Sequence, residues 1–258
     1  MTAERSGRRI LVLGGGIGQA IATTAAARGD AVTLASRTRP SRSPITHLPI
    51  DLATAEGPEQ AVGQGIDQLG GIDVLVTCVG ARVVRASFAE HSDDDWYAAF
   101  IVNVMGTVRA CRRGLPALLD SKGVLVNIMA LHDPLPNPQV APYSAAEAAI
   151  DAITRALAVE VTPHGGRVFG VAPEATTAQR TVLAARQAQT AGHGTAALLS
   201  IVGGSGARVP GGDGHRRMPM IEFVQREDAA RLILRLIDDP AATGATYLID
   251  SGMLPAGL

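Results

Sequence analysis

The sequence predicts a single α/β domain, a doubly wound parallel sheet with helices on both faces. Three observations predict it. Short apolar runs alternate with stretches of helical apolar spacing along the chain, which is the rhythm of right-handed βαβ units. The first apolar run stops at a glycine cluster that leads straight into a helical pattern. Each later run ends in a short polar or glycine-containing segment, at the strand end where open α/β sheets bind their ligands.

A chain of 258 residues is long enough for one substantial core. With 23 basic and 24 acidic residues the formal charge is −1, and no basic run is dense enough to expect nucleic acid or an anionic membrane as partner. The expectation is a soluble cytoplasmic protein with a small-molecule substrate. Two cysteines, Cys78 and Cys111, make no disulfide framework, and without a CxxC or HExxH pairing no metal site is expected. The opening MTAERSGRRI has no apolar signal core, and no segment approaches the roughly 18 unbroken apolar residues of a membrane span.

Residues 10–13 form the first strand, which stops at Gly14, Gly15, Gly16, Ile17 and Gly18; Ile17, Ala20, Ile21, Thr24 and Ala25 then recur at helical spacing. Glycines let the backbone come close to a diphosphate, and the free N–H groups of a helix starting at Gly18 attract it. The strict GxGxxG spacing is not met, because Gln19 holds its last position. The second strand, 31–35, ends in Ser36 and Arg37. An arginine there pairs with the 2′-phosphate of an adenine ribose, where an acidic residue would hold a free hydroxyl, so NADP(H) is expected over NAD(H). The plainer alternative is that Arg37, Arg39 and Arg42 are a solvated loop. Residues 48–52 read as a short strand whose Asp51 can accept a hydrogen bond from an adenine amino group.

A strand at 72–76 leads into Thr77, Cys78, Val79 and Gly80, and a helix is expected from Asp93 with Trp96, Phe100, Ile101, Val104 and Val108 as its buried stripe and Asn103 beside it. Cys78 would lie next to a cofactor, or is a small buried hydrophobe. Residues 123–128 form a fifth strand. Prolines at 134, 136, 138 and 142 then exclude helix until Tyr143, which opens a helix over 143–161. Four residues on, and on the same face, stands Glu147. A sixth strand at 167–171 closes in Ala172, Pro173 and Glu174. Residues 174–220 break the rhythm with a helix at 177–189 and two glycine clusters, and are expected to form a substrate lid, with disorder as the alternative. A helix at 227–237 and a strand at 245–249 complete the chain.

These pieces together resemble the short-chain dehydrogenase/reductase family over nearly the whole length: GIGQAIA at 16–22, SR at 36–37, DL with Leu52 at 51–52, LVTCVG at 75–80, VNVMG at 102–106, VLVNI at 124–128, PYSAAEAA at 142–149, VAPEATT at 171–177 and TGATYLIDSGM at 243–253. The resemblance implies a Rossmann-type NAD(P)(H)-dependent oxidoreductase, a homodimer or homotetramer packed through the helices at about 95–113 and 143–161. It also implies a catalytic asparagine, serine, tyrosine and lysine. The tyrosine passes the proton and the serine polarises the substrate oxygen; the lysine lowers the tyrosine pKa and holds the nicotinamide ribose, while the asparagine supports a proton path.

Carried over by position, the asparagine falls on Asn103 and the tyrosine on Tyr143, but the serine falls on Ala130 and the lysine on Glu147. The glycine turn is about two residues shorter than the family's, and Glu174 stands where a glycine follows the proline. An ionised Glu147 opposes a Tyr143 phenolate, leaving the tyrosine a hydrogen-bond donor rather than a base. Glu147 can accept from ribose hydroxyls, or has turned away into solvent. His132, two residues beyond Ala130, is the nearby side chain suited to proton transfer, or is a loop residue. Thr176 and Thr177 match positions that touch the nicotinamide amide or its phosphates. Three readings follow: an atypical NADP(H)-dependent oxidoreductase on a carbonyl, imine or activated alkene; a non-redox isomerase, dehydratase or cyclase; and a catalytically silent binding protein.

Overall fold

Seven parallel strands form one sheet in the order β3-β2-β1-β4-β5-β6-β7, seen in a computed structural model that describes residues 7–40, 44–80, 83–130, 138–173 and 225–249. The strands are β1 (Arg9–Leu13), β2 (Ala31–Ala35), β3 (Thr46–Leu48), β4 (Val74–Thr77), β5 (Val124–Ile128), β6 (Arg167–Pro173) and β7 (Thr246–Ile249). The order reverses between β1 and β4, which are neighbours in the sheet. That reversal opens a crevice beyond the strand ends, the place where ligands bind in such sheets.

Period-two alternation in the strands sends side chains to two cores. Ile10, Val12, Leu34, Val76 and Val126 pack with α1 (Ile17–Ala27) and the C-terminal helix Arg226–Asp238, here α6. Leu11, Leu13, Leu75 and Leu125 pack on the opposite face with α2 (Gly57–Leu69), α4 (Gly106–Ser121) and α5 (Ala141–Val161). Burial on both faces explains why the strands read as apolar runs rather than as alternating ones.

Several expected boundaries shift for local reasons. β3 ends at Leu48 instead of running to 52, since Pro49 has no N–H for the ladder. α5 starts at Ala141, two residues early, because its first turn tolerates Pro142. The helix from Asp93 divides into α3 (Asp93–Ala99), a π-helical turn (Phe100–Met105) and α4. This wide turn shifts the phase of the expected buried stripe: Val104 is buried, whereas Phe100 and Ile101 are 36% and 46% exposed. α2 has no counterpart in the sequence reading.

Candidate functional site

The glycine turn combines a crowded base with an open top. Gly14 has φ +110°, and a Cβ there would meet the Cys78 carbonyl oxygen at 2.1 Å, so only glycine fits. Gly18 packs α1 closely on β1, with a Cβ position 3.3 Å from Val12 Cγ1. Between them a Cβ on Gly15 or Gly16 would meet nothing within 4 Å. Gly16 caps α1, whose first turn carries no acidic residue and whose cap makes no side-chain hydrogen bond. The backbone of Gly15 and Gly16, at the start of an eleven-residue helix, therefore borders open space at the sheet's reversal, a cradle that fits a diphosphate. Ile17 is the first residue of α1, which starts one residue earlier than the expected Gly18, and it packs on the core.

At the end of β2, Ser36 is buried, its hydroxyl bonded to the Thr38 carbonyl at 2.9 Å and facing His47 Nε2 at 3.1 Å. Arg37 is exposed and has no ion-pair partner among the described residues. The exposed Asp51 closes a turn by accepting from the Ala53 N–H at 3.0 Å, and Leu52 is buried in the core. Gly80 is exposed with open space around it, and Pro173 ends β6.

Cys78 packs against the glycine turn. Its Sγ lies 3.9 Å from the Gly15 carbonyl oxygen and accepts from the Gly18 N–H. Burial pushes this thiol up to about 11, so it is inert as a nucleophile at neutral pH. A Glu147 carboxylate adds to burial in opposing ionisation of this thiol, as it does for Tyr143.

Glu147 is 5% exposed, which rules out a solvated helix residue. It reaches from α5 to the end of β5, where its Oε2 accepts from the Ala130 N–H at 2.6 Å, and its carboxyl is hydrogen-bonded to Tyr143. Burial pushes the carboxyl up to about 7, against the opposing pull of these two donors. Burial and then the Glu147 charge hold the Tyr143 phenol far above the usual phenol range. A partly buried Tyr143 also lines a pocket with Asn103, Asp95, Val84, Ala99 and Pro142. Asn103 itself is fully buried on the π-helical turn, a kind of irregularity that concentrates at functional sites.

Below this site lies a buried polar chain that sequence reasoning missed. Thr77 Oγ1 donates to Asn127 Oδ1 at 2.7 Å, Asn127 Nδ2 donates to Thr154 Oγ1 at 2.8 Å, and Thr154 Oγ1 donates to the Ile150 carbonyl at 2.8 Å. The chain ties β4 and β5 to α5, the helix that carries Tyr143 and Glu147. Its signal was an asparagine inside the apolar run VLVNI, where a buried polar group demands partners. Asp95 and Val84 were also missed; nothing in their spacing marks them as pocket residues. His132, Thr176 and Thr177, with the expected lid, lie outside the described residues. Among those residues no group of acidic, histidine or cysteine side chains is arranged to hold a metal, and no helix is long and apolar enough to cross a membrane.

A family model described as short chain dehydrogenase matches residues 8–189. Among curated proteins, 3β-hydroxysteroid dehydrogenase 1 of Eggerthella lenta is 30% identical over 190 residues, a match that covers 71% of this chain and 64% of that protein. An uncharacterized oxidoreductase of Staphylococcus aureus (strain USA300) is 28% identical over 170 residues, 62% of this chain and 73% of its own. Among solved structures, L-sorbose reductase from Gluconobacter frateurii, complexed with NADPH and L-sorbose, superposes with TM-score 0.78 at 23% identity, covering 98% of this chain and 99% of the other. Aldohexose dehydrogenase of Thermoplasma acidophilum, ligand-free, gives TM-score 0.78 at 19% identity over 98% and 96%. At these identities the two structures show the fold.

Proposed function

The chain belongs to the short-chain dehydrogenase/reductase family of oxidoreductases, and we propose that it is an NADP(H)-dependent member that acts on a small-molecule carbonyl, imine or activated alkene. The observation that carries this reading is the open glycine cradle at the sheet's reversal, in a fold whose α5 carries Tyr143 to the lining of a pocket. The backbone of Gly14 to Gly18 would hold the diphosphate, Asp51 and Leu52 would flank the adenine, and Ser36 and Arg37 would take the adenine ribose. Cys78, Gly80 and Pro173, at the ends of β4 and β6, would line the way to the nicotinamide. Arg37 is the residue that favours NADP(H), being exposed, without a described ion partner and with no acidic residue at that strand end. The NADPH in the similar L-sorbose reductase supports the same choice.

A nicotinamide dinucleotide, when bound, would supply the hydride. The protein's own residues bind and orient the substrate and handle the proton. Tyr143 donates to the substrate oxygen, and Asn103 supports the pocket wall from the π-helical turn. His132 is a second candidate for proton transfer. Without the family's serine, Ala130 offers no side-chain donor, so substrate polarisation falls mainly to Tyr143. An already electrophilic substrate suits such a site. Exposed Tyr97, Phe100 and Ile101 on α3 and the turn after it suit a homodimer or homotetramer packed through that helix and α5.

Fluorescence titration of the full chain with NADPH and NADH tests the reading. Binding of NADPH, tighter than NADH, is the expected result. Binding of neither at high micromolar concentration overturns it.

A further inference from the structure

We propose that Glu147 and Tyr143 form a two-residue proton relay, in which the Glu147 carboxyl re-supplies the Tyr143 hydroxyl as that hydroxyl protonates the substrate oxygen. The proposal rests on the reading of the site as a carbonyl-reducing one and replaces the lysine-assisted tyrosine that the family resemblance implies.

The geometry comes first. Glu147 is buried at the end of β5 with Oε2 held by the Ala130 N–H at 2.6 Å. Since that oxygen serves as acceptor, a proton on the carboxyl resides on Oε1. Tyr143, one helical turn away, is hydrogen-bonded to the same carboxyl and opens on the pocket. The direction of this hydrogen bond depends on which partner carries the proton. An ionised Glu147 accepts from the tyrosine, so the hydroxyl hydrogen points away from substrate. A protonated Glu147 donates to the tyrosine oxygen, which frees the hydroxyl hydrogen for the pocket.

A neutral relay also suits the electrostatics. Glu147 faces Tyr143 from its own helix, Cys78 from the end of β4 and the Ala130 N–H from the end of β5; no described cation shifts it. His132 and Asp133 belong to the segment outside the described residues. In this setting burial puts the carboxyl near neutrality and disfavours a phenolate, so stepwise proton loss from Tyr143 is blocked while concerted transfer is open.

The step balances. As the carbonyl carbon accepts a hydride from a reduced nicotinamide dinucleotide, the C=O π pair moves to oxygen. That oxygen takes the Tyr143 proton as the tyrosine oxygen takes the proton of Glu147. The products are an alcohol, a neutral tyrosine, a glutamate carboxylate and the oxidised dinucleotide, and solvent returns the proton to Glu147. Reduction therefore needs protonated Glu147 and declines as pH rises through about 7.

The first test needs no substrate. Carboxyl ¹³C NMR of the full chain with labelled glutamate, assigned with Glu147→Gln, follows Glu147 against pH. The expected midpoint is near 7, and Tyr143→Phe raises it, because the tyrosine hydrogen bond stabilises the ionised carboxylate. A midpoint among the surface glutamates, or one that Tyr143→Phe leaves in place, overturns the relay. With NADPH and ethyl pyruvate as an activated ketone, the kcat of the wild type falls above that midpoint. Glu147→Gln lowers kcat by about 10²-fold and removes the pH limb; a limb that survives in Glu147→Gln overturns the proposal. A chain that binds neither dinucleotide removes the oxidoreductase reading, and the relay's catalytic role with it. A chain that binds NADPH but titrates Glu147 with the surface carboxylates keeps that reading and loses the relay alone.

Discussion

Replacing Glu147 by glutamine is expected to change how stability depends on pH. The carboxyl is raised by burial from 4.5 to about 7. Between those values the folded chain keeps a proton that the unfolded chain releases. Stability therefore falls as pH rises through that window, is highest below about 4.5 and is flat above about 7 as far as this group is concerned. Each pH unit across the window corresponds to about 1.4 kcal/mol, so the whole effect is about 3 kcal/mol, of which about 2 to 3 lies between pH 5 and pH 8. Glutamine cannot ionise, and its amide oxygen still accepts from the Ala130 N–H. Urea unfolding of both proteins at pH 5 and pH 8 isolates the group, since all other titrations cancel in the double difference. Glu147→Gln should gain about 2 to 3 kcal/mol on wild type between the two pH values. A double difference below about 0.5 kcal/mol would refute the claim that this carboxyl is buried against a single backbone donor and a tyrosine.

Five other substitutions probe separate parts of the account. Tyr143→Phe should lower kcat by about 10² to 10⁴-fold while NADPH affinity, read by fluorescence, stays within about twofold. Arg37→Ala should weaken NADPH by about tenfold or more, roughly 1.4 kcal/mol, and NADH little; equal losses in parallel titrations would exclude a 2′-phosphate contact. Gly14→Ala, with its Cβ forced onto the Cys78 carbonyl at positive φ, should destabilise the fold by about 2 to 4 kcal/mol in thermal unfolding, whereas Gly16→Ala, where φ is also positive but space is open, should lose about 1 to 2 kcal/mol. Asn127→Leu should lose about 2 to 4 kcal/mol in urea unfolding, because it leaves the buried Thr77 hydroxyl without its acceptor and takes a donor from Thr154.

The sheet was legible in the sequence because buried parallel strands carry unbroken apolar runs that no helix interrupts. α2 was not, and its glycines explain why. A Cβ on Gly57 would meet the Asp51 carbonyl at 2.0 Å, and one on Gly65 would enter the Leu11 side chain at 2.4 Å. Close packing on β1 and on the turn at Asp51 thus demands the residues that weaken a helix signal. The stripe through Phe100 and Ile101 failed for a related reason, since a π-helical turn changes the period on which the reading relied. The glycine turn followed from its place between a strand and a helix, and Tyr143 and Asn103 were singled out by the family resemblance. The burial of Glu147 did not, for it depends on an orphan N–H at Ala130, 17 residues earlier in the chain and on a different element. Periodicity sees faces of one helix and cannot see that meeting.

A crystal structure of the full chain with NADPH tests the central claim most directly. The account predicts the diphosphate against the backbone of Gly15 and Gly16, the 2′-phosphate at Arg37 and the nicotinamide facing the Tyr143–Glu147 pair. NADPH seated away from the glycine turn, or a nicotinamide turned from Tyr143, would contradict it.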